Sequence, residues 1–357
     1  MWRRTVALGS LLLSACSIFS GGKSEVPEGV IEVPAIKPSD ASKAGCPQKL
    51  PTVSWQETLW KTKATADTSV WIDKECRCAT ASFSTWDSVQ QALGEETTRR
   101  LRNLITSGGS FTSLTPEDRR ALIQFSESFL WIPSPIDQQL GEEQFKQFRG
   151  NIVTPKKDEV DQLLPKLKDS AEAVAKQYPE IPLDLKFALV DGLPNPGTAL
   201  PGGYIIVGRG FMRTAKPDEL AFVLSHEVSH IARRHEVKAM QVKVVSLEQS
   251  YELFRTVAKT LGGGQQSPAD LVGSAASIKQ SISFLGTVAL DYDTNLELEA
   301  DSCAVPATMK AGFNPATGWN EYKVDFGSTT PSPSSHPPTE ARQANLQKVM
   351  GSIRVSP

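Results

Sequence analysis

Apolar positions recur every three to four residues between residues 218 and 232. Positions with that spacing lie on one face of an α-helix, so the pattern predicts a helix with a buried stripe. A proline at 217 and two acidic residues after it suit the first turn of such a helix. The stripe consists of Leu220, Val223, Leu224, Val228 and Ile231.

Similar patterns along the rest of the chain predict a mainly helical α+β fold with a small sheet. Short β-branched runs at 185–190 and 204–208 predict strands. The helix that starts at 218 is expected to continue to 259 with a break near Lys238. In the helix predicted at 158–178, Pro165 is expected to mark the actual start. The other predicted helices are 87–106, 116–130, 158–178, 270–290 and 338–350.

The first sixteen residues predict a lipoprotein signal peptide. Two arginines precede a short apolar run, and Leu13-Ser14-Ala15-Cys16 matches a bacterial lipobox. Cleavage before Cys16 would leave its thiol to carry lipid, and Ser17 favours the outer membrane; a signal peptide without lipid is the alternative. No later segment has the roughly eighteen apolar residues that span a bilayer.

Composition divides the remaining chain into three parts. Residues 17–45 are rich in Ser, Gly, Pro, Lys and Glu and predict a flexible tether. Residues 46–155 predict an accessory region with helices, either a separate domain or a helical layer. Residues 156–357 are expected to hold the functional domain. The net charge of −2 and the lack of a basic patch argue against nucleic-acid binding.

The residues 226–230 read His-Glu-Val-Ser-His, and they carry the strongest chemical signal in the chain. Four residues apart on a helix, His226 and His230 point the same way and can bind one zinc ion. Glu227 can then reach a zinc-bound water and act as general base. A chance match on a surface helix is the alternative, but polar residues in so apolar a helix would be costly without a partner.

A third ligand is predicted far downstream, where residues 295–303 read NLELEADSC. Glu297 and Asp301 share a helix face, so Glu297 can bind the metal while Asp301 accepts the free ring N–H of a ligand histidine. An ordinary acidic helix face is the alternative. His235 lies about 140° around the helix from His230 and is predicted to be a structural or surface histidine.

The segments HEVSHIARRH, ELEAD and SHPPTEAR resemble the CAAX-prenyl-protease/HtpX family of gluzincin zinc metallopeptidases, in its soluble periplasmic lipoprotein branch. The resemblance extends upstream to ALPGGYIIVGRGFM at 199–212 and covers roughly residues 160–350. It implies one zinc ion held by His226, His230 and Glu297, with Glu227 as catalytic base. It also implies that His336 is a regulatory fourth ligand. Arg342 would steady an oxyanion, with a helix-surface arginine as the alternative.

Residues 201–207 predict a strand beside the zinc site. Gly203, Tyr204 and Ile205 would form its start, and an edge strand there could hold an extended peptide; a plain core strand is the alternative. The chain departs from the family's pattern upstream, where the asparagine, Asn195, is displaced by one residue and Pro196 follows it.

The cysteines left after cleavage are Cys46, Cys76, Cys78 and Cys303. An oxidising compartment permits disulfides, and Cys46 is expected to pair with Cys76 or Cys78. Cys303 is expected to be a buried free thiol.

These observations predict a lipid-anchored periplasmic zinc endopeptidase that cleaves envelope polypeptides, by resemblance misfolded or stalled ones. A latent metalloprotein that acts as a chaperone or assembly factor for outer-membrane proteins is the main alternative. A zinc hydrolase acting on peptidoglycan peptides is another.

Overall fold

The structure is a computed structural model that describes residues 26–35, 86–107, 110–130, 132, 135–157, 162–248, 251–252, 254–255, 294–327 and 340–352. Within these ranges the chain forms a small sheet and many helices, the mainly helical α+β fold that the sequence predicts. The strands are β1 (Val30–Val33), β2 (Leu185–Val190), β3 (Gly197–Leu200) and β4 (Tyr204–Gly208). The helices are α1 (Trp86–Leu93), α2 (Glu95–Ser107), α3 (Pro116–Ser128), α4 (Pro135–Phe145), α5 (Leu163–Ala175), α6 (Arg209–Thr214), α7 (Pro217–Arg233), α8 (His235–Ser246), α9 (Thr294–Lys310), α10 (Pro315–Gly327) and α11 (Glu340–Ser352).

The four strands form one sheet in the order β1-β2-β4-β3. β2 and β4 are parallel, and β1 and β3 are antiparallel to their neighbours. The predicted strands at 185–190 and 204–208 are therefore confirmed.

The prediction that Gly203, Tyr204 and Ile205 form an edge strand is wrong. Tyr204 and Ile205 belong to β4, which pairs with β2 on one side and β3 on the other, so its backbone groups are already used. Gly203 lies in the single helical turn Pro201–Gly203 that joins β3 to β4. Strand β3 is the edge of the sheet next to β4, with β1 at the opposite edge, and β3 packs against α7.

Strand β1 lies within the segment predicted to be a flexible tether. Val30 pairs opposite Ala188 of β2, and the backbone N–H of Ala35 donates to Asp184 Oδ1 at 2.8 Å. The tether prediction is wrong for residues 30–33, because three of their four side chains are β-branched and suit a strand, and the edge of β2 supplies hydrogen-bond partners. The sheet is thus completed by a segment from near the N-terminus.

Helix α7 carries the HExxH motif and is buried along nearly its whole length. Its first turn holds the two acidic residues that the helix dipole favours, and the backbone N–H of Lys216 donates to Glu219. The helix ends at Arg233, and Arg234 after it adopts the left-handed conformation with φ 52°. Helix α8 begins at the next residue, so the break comes before the predicted position near Lys238.

The described residues form three hydrophobic clusters, and the two largest organise the fold. One joins the sheet to α5, α7, α9, α10 and α11, and its largest buried side chains include Phe187, Phe222 and Trp319. The other joins α1 to α4 with α8, through residues such as Leu122 and Val244. The N-terminal helices share their core with the segment that follows the motif helix, which favours a helical layer over a separate domain.

Buried polar contacts also tie this layer to the rest of the chain. The backbone N–H of Ile132 donates to Gln241 Oε1 at 2.8 Å, and Gln241 Nε2 donates to two carbonyls at the end of α3, at 3.1 and 3.0 Å. Arg234 donates to both carboxylate oxygens of Asp137 at 2.6 Å. These contacts fix α8 and the break before it against α3 and α4.

Helix α4 lies very close to the turn Pro201–Gly203. A Cβ atom at Gly141 would be 1.8 Å from the carbonyl oxygen of Pro201. Gly202, with φ 72°, faces α4 in return, and a Cβ there would be 2.5 Å from the Cα of Gln138. Only glycine permits this approach at either position.

Cys303 in α9 is buried, as predicted, but it is disulfide-bonded. The prediction of a free thiol is wrong, because pairing depends on proximity in the fold, which cysteine spacing does not give. The other cysteines lie outside the described residues, and so does the expected pairing of Cys46 with Cys76 or Cys78.

Among the described helices, none combines the length and the apolar character needed to cross a bilayer.

Candidate active site

Three buried side chains converge between α7 and α9. His226 and His230 lie one turn apart on α7, and their Nε2 atoms are 3.0 Å apart. Glu297, from the first turn of α9, places its two oxygens 3.3 Å from His226 Nε2 and 3.5 Å from His230 Nε2. One ligand atom from each residue lies within 4.8 Å of the others. Two imidazole nitrogens and a carboxylate are a donor set of catalytic zinc sites, so this group fits a zinc ion.

Asp301 and Arg342 contact two of these three residues, His226 and Glu297. Asp301 Oδ1 lies 2.9 Å from His226 Nδ1 and accepts from Arg342 Nη2 at 2.7 Å. Arg342 Nε donates to Asp301 Oδ2 at 2.8 Å, and Nη1 lies 3.2 Å from Glu297 Oε2. With Asp301 accepting at Nδ1, the Nε2 atom of His226 is the one left to face a metal.

The electrostatics of the site favour positive charge at His226. Burial and Arg342 act to lower the pKa of His226, but Glu297 and Asp301 outweigh them and raise this pKa to about 9. Burial acts to raise the pKa of Asp301, but Arg342 and His226 more than offset it and lower that pKa. The field that favours an imidazolium would also favour a cation bound between these residues.

Glu227 lines a small cavity next to the three convergent residues. The space open to the centre of a water molecule is about 10 Å³, close to the room that one water needs. A Cβ on Gly197 of β3 would lie 3.1 Å from Glu227 Cγ, so the edge strand passes directly beside this carboxylate. The cavity is lined by Pro196, Phe222, Val223, His226, Glu227, Tyr322 and Arg342.

His235 is also buried in this region. Its Nδ1 lies 3.0 Å from His230 Nδ1, and its Nε2 lies 3.3 Å from Glu299 Oε2. Burial, the largest influence, lowers the pKa of His235. Burial acts to raise the pKa of Glu299, but His235, Lys238 and Arg233 outweigh it and lower this pKa to about 2.

Comparison with known proteins assigns this arrangement to a family. The model of peptidase family M48 matches residues 166–350, which is just over half of the chain and includes α7, α9 and α11. The chain belongs to peptidase family M48. Within this M48 domain, His226, His230 and Glu297 form a group that could bind a metal ion.

The M48 relatives include beta-barrel assembly-enhancing proteases from bacteria. The Yersinia pestis protein is 28% identical over 131 residues, which are 36% of this chain and 26% of the relative. A putative beta-barrel assembly-enhancing protease of Vibrio cholerae is 27% identical over 186 residues, which are 50% of this chain and 36% of the relative. The chain thus matches only about a quarter to a third of the length of these relatives.

The M48 structure brings together most of the residues that the sequence singles out. The site contains His226, Glu227, His230, Glu297, Asp301 and Arg342. Gly203, Tyr204 and Ile205 do not reach it as an edge strand, and β3 lies there instead. His336 lies outside the described residues.

Sequence reasoning missed two groups in the M48 site. Glu299 lies within the motif ELEAD, and helical spacing separates it from the face shared by Glu297 and Asp301. Pro196 was noted only as part of a departure from the family's pattern, and Gly197 was not singled out, yet both lie against Glu227. They lie near the motif helix because β3 pairs with β4. A strand of only four residues is too short for the sequence to predict this pairing.

Proposed function

We propose that this protein is a lipid-anchored zinc endopeptidase of the bacterial periplasm, with one zinc ion held by His226, His230 and Glu297. The carrying observation is that these three side chains converge beside a carboxylate, Glu227, that lines a cavity of the size of one water. Bound zinc supplies a Lewis acid that lowers the pKa of a water molecule and polarises a carbonyl group.

Glu227 is the proposed general base. Its carboxylate takes a proton from the attacking water and delivers it to the nitrogen of the leaving amine. The low accessibility of Glu227, 2%, keeps bulk water away from the proton in transit. Phe222 and Val223 contribute apolar walls to the same cavity.

Asp301 and Arg342 are proposed to hold the ligands in place. Asp301 fixes the ring of His226, and Arg342 contacts Asp301 and Glu297 with its Nε and both Nη atoms. These contacts favour a positioning role for Arg342. The role in steadying an oxyanion stays a prediction, supported by its place in the wall of the cavity.

The proposed substrate is an extended polypeptide that adds to the outer side of β3. Main-chain hydrogen bonds to an edge strand recognise extended backbone without regard to sequence. Because Gly197 of β3 lies against Glu227, a peptide along this edge would pass in front of the base. The relatives are named as beta-barrel assembly-enhancing proteases, which supports outer-membrane or other envelope proteins as substrates, including misfolded or stalled ones.

The periplasm and the outer membrane are proposed as the location. The lipobox ending at Cys16 supports a lipid anchor, and Ser17 supports the outer membrane. The disulfide at Cys303 supports an oxidising compartment, since such bonds are rare in the cytosol.

His336 is proposed to act as a regulatory fourth ligand that holds the resting enzyme latent. The support is its place in the SHPPTEAR motif and the Ser- and Pro-rich sequence before it. Replacing His336 with alanine is expected to raise the rate of proteolysis. An unchanged or lower rate would count against latency.

The test of the proposed function is cleavage of casein and of an unfolded outer-membrane protein by the detergent-solubilised full chain, with zinc measured on the same sample. Glu227→Gln is expected to keep one zinc per chain and lose cleavage by at least about a hundredfold, in the range of general-base catalysis. Glu95→Gln, an exposed glutamate on α2, is the control and should cleave normally.

A chaperone or assembly factor is the second candidate, because the relatives' name refers to assembly. Glu227→Gln distinguishes the two functions. Full support of outer-membrane protein assembly in cells by this variant would favour the chaperone, and loss of that support together with cleavage would favour the protease.

A further inference from the structure

A buried polar cluster lies on the side of His230 that faces away from the proposed zinc position. His235 contacts His230 through Nδ1 and faces Glu299 through Nε2, as described above. Arg233 donates to Glu299 Oε1, and Lys238 Nζ lies 3.7 Å from Glu299 Oε2. The proposed function uses none of the residues His235, Glu299, Arg233 and Lys238.

The positions of His230, His235 and Glu299 indicate where each proton lies. His235 Nδ1 is within hydrogen-bond distance of His230 Nδ1, whereas its Nε2 lies at ion-pair distance from Glu299 without hydrogen-bond geometry. Ionised Glu299 can only accept hydrogen bonds, so the neighbouring Nε2 of His235 is expected to carry its proton. The Nδ1 of neutral His235 is then an acceptor. His230 must donate to it from Nδ1, which leaves the lone pair of His230 Nε2 directed at Glu297 and His226.

We propose that Glu299 and His235 form a relay that fixes the tautomer and ring orientation of His230, so that Nε2 is the atom presented to the metal. Both are positioning residues, and they do for His230 what Asp301 does for His226. The inference rests on the proposed role of His230 as a zinc ligand.

The break at Arg234 makes the relay possible. On an uninterrupted helix His235 would point about 140° away from His230. The left-handed conformation of Arg234 turns the chain, and the bidentate contact with Asp137 of α4 holds it there. As a result His235, at 1% exposure, returns to the face of His230.

A charged cluster that serves stability alone is the competing explanation. In that case Glu299 would only neutralise Arg233 and Lys238, and His235 would only fill space. The two explanations differ in what they predict for zinc affinity when the protein stays folded.

The test uses the detergent-solubilised full chain and measures zinc affinity by competition with a chromophoric chelator. His235→Leu keeps a side chain of similar size but removes the nitrogen that accepts from His230. Glu299→Gln removes the carboxylate that faces His235 Nε2. Each is expected to weaken zinc binding about 10- to 100-fold, the usual effect of losing such a partner. His235→Asn, whose amide oxygen can accept from His230 Nδ1, is expected to restore most of the affinity.

Thermal unfolding of the metal-free proteins separates this effect from a loss of stability. The relay is supported if zinc affinity falls while the metal-free variants unfold within a few degrees of the parent. It is overturned if His235→Leu binds zinc within twofold of the parent, or if His235→Asn loses as much affinity as His235→Leu.

Nitrogen-15 spectra of the histidine rings give a second readout. In the metal-free parent, His235 is expected to be the Nε2–H tautomer and His230 the Nδ1–H tautomer, and Glu299→Gln should mix both forms. The opposite tautomers in the parent would refute the relay.

The variant His230→Ala distinguishes a failure of the relay from a failure of the proposed ligand set. If His230→Ala binds zinc as tightly as the parent, the ligand set is wrong and the relay falls with it. If His230→Ala loses zinc while His235→Leu keeps it, the ligand set stands and only the relay is refuted.

Discussion

Replacing Gly141 with alanine is expected to push α4 away from the turn Pro201–Gly203. The new Cβ would lie 1.8 Å from the carbonyl oxygen of Pro201, whereas ordinary contact begins at 3.4 Å, so the two must separate by about 1.6 Å. Because the obstacle is backbone, no side-chain rotation can relieve it. Overpacking of this kind costs about 1–3 kcal/mol of unfolding free energy, and we expect the upper part of that range.

The same change is expected to reduce proteolysis, because the turn leads out of β3 and β3 passes beside Glu227. Urea titration followed by circular dichroism gives the free energy of unfolding, and casein cleavage gives kcat/KM. Gly210→Ala in α6 is the matched control, since nothing lies within 4 Å of its Cβ position. Alanine at such a helical position should stabilise by about 0.4–1 kcal/mol, the opposite sign. A Gly141→Ala protein as stable as the parent would refute the close approach.

Three further changes probe other parts of the structure. Gln241→Leu removes three hydrogen bonds to buried backbone groups. It should lower the unfolding free energy by about 1–3 kcal/mol in urea titration. Gln91→Leu, at an exposed position of α1, is the control and should leave this free energy unchanged. Asp301→Asn should weaken zinc binding about 10- to 100-fold in a chelator competition, and equal affinity would contradict its role at His226. Cys303→Ala should lower the free energy of unfolding by about 2–5 kcal/mol. It should also reduce the loss of melting temperature that a reductant causes in the parent.

The part of the site that lies on single helices could be predicted from the sequence. His226 and His230 are four residues apart, and so are Glu297 and Asp301, so helical geometry alone places each pair on one face. The apolar stripe on α7 predicted which side of that helix is buried. These are local relations, and they hold wherever the helix sits in the fold.

The remaining parts depend on tertiary structure. Strand β3 is four residues long and has no strong strand pattern, so β4 was taken as the edge in its place. Arg234 is not a glycine, and its left-handed conformation is not visible in the sequence. Extending the helix through it made His235 point away from His230, and the position of Glu299 beside His235 depends on how α9 packs on α7.

Strand β1 would limit the reach of the chain if a lipid on Cys16 anchors it. Val30 is held in the sheet, so with a lipid on Cys16 only the fourteen residues up to Val30 connect the bilayer to the folded body. A fully extended chain spans about 3.3–3.6 Å per residue, which limits this connection to roughly 50 Å. The proposed enzyme would therefore stay within roughly 50 Å of its own membrane. It would act on polypeptides that emerge or stall within that distance.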